Sequence, residues 1–167
     1  MAIPVWAVGQ VLSASDVNVW FVPIVATKPS DTGRTSTTSI TNDPDLQLSL
    51  AANASYDLTA KLAYKGGTNG SSDIQIQVNA PSGATGFWGA VRLQITSFPT
   101  TTAIYNPFGN NVNAGTNGTG NPQPFFIHGS VTTTTAGTLA VAWAQNTSSG
   151  TATTMMAGSL LSCQRTG

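Results

Sequence analysis

Tyr56-Asp57-Leu58-Thr59-Ala60-Lys61-Leu62-Ala63-Tyr64 alternates between two kinds of side chain. Tyr56, Leu58, Ala60, Leu62 and Tyr64 fall on one side, and Asp57, Thr59 and Lys61 on the other. Successive side chains of a strand point to opposite faces, so this spacing predicts a strand with one face in a core and one in water. A helix would place its apolar residues three and four apart. The turn-forming run Ala-Asn-Ala-Ser precedes the stretch, and Lys65-Gly-Gly-Thr-Asn-Gly-Ser-Ser follows it, so both ends are marked.

The same period extends outward. Leu46, Leu48 and Leu50 alternate before it, and Ile74, Ile76 and Val78 after it, ending at Pro81-Ser-Gly. Residues 87–96 read as a strand with Val91, Leu93 and Ile95 on one face, and residues 101–105 as a short one. Residues 125–133, 138–145 and 159–165 complete the set. In the middle one of these, Leu139, Val141 and Trp143 oppose Ala140, Ala142 and Ala144, a narrow face that predicts close approach of another sheet or chain. Asp43-Pro44-Asp45 reads as a turn, where Asp accepts local backbone hydrogen bonds. Residues 106–124, rich in Asn and Gly, read as one long loop; unstructured loops above about 12–15 residues are uncommon and tend to be functional. Eight or so short strands without a fixed repeat point to an all-β sandwich or barrel, with the jelly roll of about eight strands as the expected form.

Composition agrees. The chain has 167 residues, 7% of them charged, against about 25% in ordinary domains, and its net charge is zero. All six acidic residues are Asp. Surface helices draw on Glu, Lys and Arg, whereas Thr suits a pleated surface, so this make-up disfavours helices. Nucleic-acid binders cluster Lys and Arg against phosphates; the six basic residues here are dispersed, which argues against nucleic acid and against an anionic membrane surface. The sequence has no run of about 18 apolar residues, so no membrane insertion is expected. The N-terminus lacks the basic segment of a signal peptide. Cys163 alone excludes an internal disulfide and reads as a buried residue of the last strand.

Residues 1–30 differ from the β domain expected over 31–167. They carry Val5, Trp6, Val11, Leu12, Val17, Trp20 and Phe21 with little charge. Ser13 or Ser15 suits the cap of a short helix over residues 16–21, with Asp16 in its first turn and Pro23 after it. So apolar an arm either packs across its own domain or docks on a neighbouring subunit, since Trp and Phe are enriched in interface cores.

Catalytic constellations are sparse. His128 is the only histidine, too few for a histidine-based metal site, and reads as a strand residue on a sheet face. The sequence has no Gly-x-Ser-x-Gly elbow, and its Gly-rich runs lack the Lys-Ser/Thr ending of a phosphate loop. Asp43 and Asp45 are the nearest approach to the paired carboxylates of a glycosidase. No catalytic residue, cofactor or metal is expected. Trp88, Tyr105 and Phe108, beside Asn110 and Asn111, could form an aromatic platform for a sugar, although core packing explains Trp88 and Tyr105 equally well.

Several stretches resemble small structural proteins of tailed bacteriophages. Val8-Gly-Gln-Val-Leu-Ser-Ala-Ser-Asp-Val-Asn-Val-Trp20 is similar to the Gly-Gln-Val-Leu-Thr-Ala-x-x-Val-Asn opening of such proteins. Leu50-Ala-Ala-Asn-Ala-Ser-Tyr56 and Ala80-Pro-Ser-Gly-Ala-Thr85 resemble their strand-and-turn elements. Trp143-Ala-Gln-Asn-Thr-Ser-Ser-Gly-Thr-Ala-Thr-Thr154, with Ala157-Gly-Ser-Leu160, resembles their closing strands. The resemblance implies a homotrimeric jelly roll of tumour-necrosis-factor-like shape on the outer surface of a virion. With no coiled-coil stalk or β-helical shaft, capsid decoration is the favoured expectation, with the arm holding the major capsid protein, another virion protein or a sister subunit. A tail or fibre module that binds host-surface glycans is the alternative.

Overall fold

The computed structural model of the chain describes residues 6–68, 73–92 and 104–167. In chain order its elements are α1 (Ala14–Trp20), β1 (Ile24–Thr27), β2 (Thr32–Arg34), β3 (Thr41–Leu50), β4 (Ala54–Lys65), β5 (Ile74–Asn79) and β6 (Thr85–Arg92). There follow β7 (Ile104–Asn106), β8 (Asn111–Ala114), β9 (Gln123–Thr133), β10 (Gly137–Gln145), β11 (Thr153–Met155) and β12 (Leu160–Arg165).

Two sheets make a jelly-roll sandwich. One runs β1-β12-β4-β9-β6-β7, with β11 and β2 attached beside β4; the other runs β3-β10-β5-β8. The chain crosses from sheet to sheet at β2–β3, β3–β4, β4–β5, β5–β6, β7–β8, β8–β9, β9–β10 and β10–β11, so most neighbours in sequence lie in opposite sheets. Every strand pair is antiparallel. β6 and β7 are an excursion between β5 and β8 that extends the larger sheet beyond β9.

β4 is central, with β12 on one side and β9 on the other. Its inner row, Tyr56, Leu58, Ala60, Leu62 and Tyr64, is buried as its alternation predicts. Leu46, Leu48, Leu50, Ile74, Ile76, Val78, Leu139, Val141 and Trp143 of the facing sheet meet it in one hydrophobic core. A fully buried Leu or Ile contributes about 1.5–3 kcal/mol, so the ten buried Leu and Ile among the described residues make a large core without a disulfide. Cys163 lies on β12 and is buried.

Four expectations change. The Ala140, Ala142 and Ala144 row is fully buried, but amides of its own neighbours cover it. Gln47 and Asn79 flank Ala140, Asn42 and Gln77 flank Ala142, and Asn79 donates to Asn42 across the strand at 2.7 Å. Asp43-Pro44-Asp45 is not a turn between strands; it lies inside β3, where the register shifts between Ala140 and Ala142. Pro has no N–H for a ladder, so it sits in an irregularity of a strand at the sheet edge. Residues 106–124 are not one loop, because Asn111–Ala114 forms β8 and pairs with β5. In β6 Trp88, a residue of the expected surface platform, points inward with Ala90 and Val91 points outward, while Leu93 and Ile95 lie outside the described residues.

Candidate assembly and recognition surfaces

The arm is built by local chemistry. Ser13 caps α1: its Oγ accepts from the Asp16 backbone N at 3.1 Å, and Asp16 Oδ2 accepts from the Ser13 backbone N at 3.1 Å. This reciprocal capping box satisfies two otherwise orphaned donors. Ser13 Oγ also donates to Asp16 Oδ2 at 2.6 Å, and this bond, with that from the Ser13 backbone N, holds the Asp16 carboxyl below the usual carboxylate range. The helix ends at Trp20, ahead of Pro23, and α1 buries none of its residues.

At the end of α1, Trp20 joins the arm to the sandwich. Arg165 at the end of β12 lies over the Trp20 ring, Cζ 4.7 Å from its centroid, and the Trp20 carbonyl accepts from Gln164 Nε2 at 2.7 Å. Trp6 and Trp20 are half-buried. Val8, Val11, Leu12, Val17, Val19, Phe21 and Val22 remain exposed, Val11 to 89% and Phe21 to 58%. Val5 lies outside the described residues. A cleft of about 240 Å³ opens between arm and sandwich, lined by Val19, Val22, Tyr56, Cys163 and Arg165 among others. Residues 24–27 of the expected arm form β1, an edge strand paired with β12.

The second surface lies on the outer face of the larger sheet. Phe87 on β6 stacks on Tyr105 of β7, ring centroids 4.3 Å apart and planes at 29°. Gly89 pairs with Tyr105 on one side and His128 on the other, so the ring can lie across a strand that has no side chain there. The strands approach closely: a Cβ on Gly129 would meet the Phe87 carbonyl oxygen and lie 2.9 Å from the Trp88 Cα. The result is a shallow cleft of about 370 Å³ lined by Asp57, Phe87, Val91, Tyr105, His128 and Ser130. Tyr105 is 73% exposed, and His128 is on the sheet face as expected.

This geometry corrects part of the expected platform. Trp88 is fully buried in the core, its Nε1 donating to the Pro107 carbonyl at 3.2 Å. Phe108 packs against the core as well. Trp88 therefore cannot meet a ligand from solvent, and Phe108 is half-buried. Asn110 and Asn111 are exposed, but Asn111 belongs to β8 on the opposite sheet and bonds Gln75 Oε1 at 2.9 Å. Tyr105 alone of the expected set reaches the cleft. Phe87 is the missed partner; the alternation around it signalled a two-faced apolar strand but did not say which face was inside. Among the described residues no group of three or more His, Cys, Asp or Glu side chains could hold a metal ion.

No known family model matches the chain. No curated protein matches it either. Among solved structures it is similar to one of the infectious bursal disease virus Gx strain, at 11% identity and a TM-score of 0.24, covering 87% of this chain and 36% of that one. A structure of the Gt strain matches at 10% identity and 0.23, covering 86% and 42%. The VP2 subviral particle of the same virus matches at 11% and 0.23, covering 87% and 37%. The chain thus spans well under half the length of these viral chains, and a likeness of this size carries no functional argument.

Proposed function

We propose that the protein is a non-catalytic structural subunit of a virion, a capsid decoration protein on the outer surface of a phage particle. Its arm attaches it to the shell, to the major capsid protein or to a sister subunit in a homotrimer. The observation that carries this reading is the row of exposed apolar residues on the arm, next to a sandwich whose own core is closed. Contiguous exposed apolar surface on a soluble protein marks an interaction site. The resemblance of residues 8–20, 50–56, 80–85 and 143–160 to phage structural proteins points the same way. The test is a full-length variant with Val11, Val17 and Phe21 replaced by Ser, mixed with particles lacking the protein. Loss of particle binding with an unchanged melting temperature is expected; undiminished binding overturns the reading.

The Phe87–Tyr105 stack favours a second reading, recognition of host-surface glycans by a tail-associated module. Exposed rings stack on the apolar faces of sugars, and Asp57, His128 and Ser130 supply hydrogen-bonding groups at the rim. A glycan array that gives signal lost on Tyr105→Ala would support it, and an array without signal would dismiss it.

A further inference from the structure

Lys28 directly follows β1, and its backbone is fixed on both sides: its N donates to the Ser159 carbonyl at 2.8 Å, and its carbonyl accepts from Gly158 N at 2.9 Å. From there the side chain runs inward until none of it is exposed. Nζ stands 3.0 Å from each oxygen of Asp43 and 2.8 Å from Asp45 Oδ2. Asp43 is equally buried, because the irregularity at Pro44 turns it into the sandwich. Both of its oxygens already accept an N–H: Oδ2 from Trp143 Nε1 at 2.9 Å, and Oδ1 from the Asp45 backbone at 3.0 Å.

An ion pair in this position is a poor source of stability. Removing two charges from water costs several kcal/mol per ion, and the mutual attraction does not reliably offset it. Condensation removes both charges. We propose that Lys28 and Asp43 join in an intramolecular isopeptide bond, with Asp45 carrying the protons.

Near-attack geometry holds reacting atoms roughly 3–3.5 Å apart. Equal contacts to both Asp43 oxygens bring Nζ to about that distance from the carboxyl carbon between them. The Trp143 and Asp45 N–H groups sit where negative charge develops on the tetrahedral intermediate. Asp45 Oδ2, against Nζ and partly open to solvent, is placed to take a proton from nitrogen and return it to the departing oxygen. The balance is complete without a co-reactant. The Nζ–Cγ bond forms and one Cγ–O bond breaks; that oxygen leaves as water with two of the three ammonium protons. Asp45 ends as it began, a carboxylate, and nothing is oxidised or reduced. The bond would tie the end of β1 in the larger sheet to β3 in the smaller one, a covalent link across the sandwich at its edge.

The test is the intact mass of the full-length protein under denaturing conditions. A mass short of the sequence value by one water is expected. After trypsin cuts at Arg34, the segment carrying Lys28 should stay joined to the one carrying Asp43. A mass at the full sequence value, or water loss without the joined peptides, overturns the proposal. Lys28→Arg and Asp43→Ala should each restore the full mass. Asp45→Asn keeps both reacting groups and should slow formation of the water-deficient form by about 100-fold or more. A salt bridge that only supports the fold would leave every variant at its sequence mass. Should the variants fail to fold, the mass of the unaltered protein still decides.

Discussion

Trp143 and Trp20 each lie beneath an arginine, Arg34 at 4.0 Å and Arg165 at 4.7 Å from the ring centroids, yet they belong to regions that place apolar surface in opposite ways. Trp143 is fully buried; its N–H reaches Asp43, and leucines and valines of both sheets surround it. Trp20 anchors a helix beside which Val11, Leu12, Val17, Val19, Phe21 and Val22 remain exposed. The two regions do not differ in how apolar they are. They differ in whether the chain itself supplies the surface that covers them. In the sandwich, strands far apart in sequence supply it. In the arm, a helix of seven residues buries none of them, and Phe21 and the neighbouring valines stay exposed.

This contrast can be broken from either side, and the largest effect should come from the sandwich. Trp143→Ala should destabilise the protein by about 3–5 kcal/mol in chemical denaturation, since it opens a cavity and removes the indole donor from the buried Asp43 Oδ2. A loss below 1 kcal/mol would mean that the core is looser than its burial implies. Gly129→Ala should cost about 1–3 kcal/mol, because the new methyl group strikes the Phe87 backbone and pushes β6 from β9.

Alkali should act on the sandwich before the arm. Burial pushes the Cys163 thiol from the ordinary 9.0 up to about 12, and burial pushes the Tyr64 phenol up as well. The folded state therefore holds these protons more tightly than the unfolded one. Their contribution is complete below the unfolded values and fades as pH rises from 9 towards 12. Melting temperatures measured across that range should fall, and a thiol reagent at pH 8 should label Cys163 only when the protein unfolds. Rapid labelling of the native protein would show that the cleft under the arm opens. The smallest stability effect belongs to the arm: Phe21→Ser should change unfolding free energy by less than about 0.5 kcal/mol while weakening self-association in sedimentation. A large loss of stability would place Phe21 in the core of its own chain.

Legibility followed the same divide. The inner rows of β3, β4 and β5 could be read from alternation of polar and apolar residues, and that of β10 from large residues alternating with alanines. The helix was legible from Ser13 and Asp16, since a capping box is local chemistry. β6 was not, because Phe87, Trp88 and Val91 are apolar on both faces and only pairing with β9 chooses between them. For that reason the sequence leaves Trp88 open between core and surface platform and does not single out Phe87. β8 and the three-residue strands β2 and β11 carry too few residues for a period to show; they exist because β5 and β4 offer open edges to pair with.

The amino-acid order alone carried the all-β class, the inner rows of the central strands and the apolar character of residues 6–25, because each depends on residues within a few positions of one another. Which face of β6 is buried, how β8 joins the smaller sheet, and how Lys28 meets Asp43 depend on contacts between distant segments. Asp43-Pro44-Asp45 reads as a turn in one dimension, and only the sheet edge across from Trp143 makes it a buried carboxylate facing a lysine.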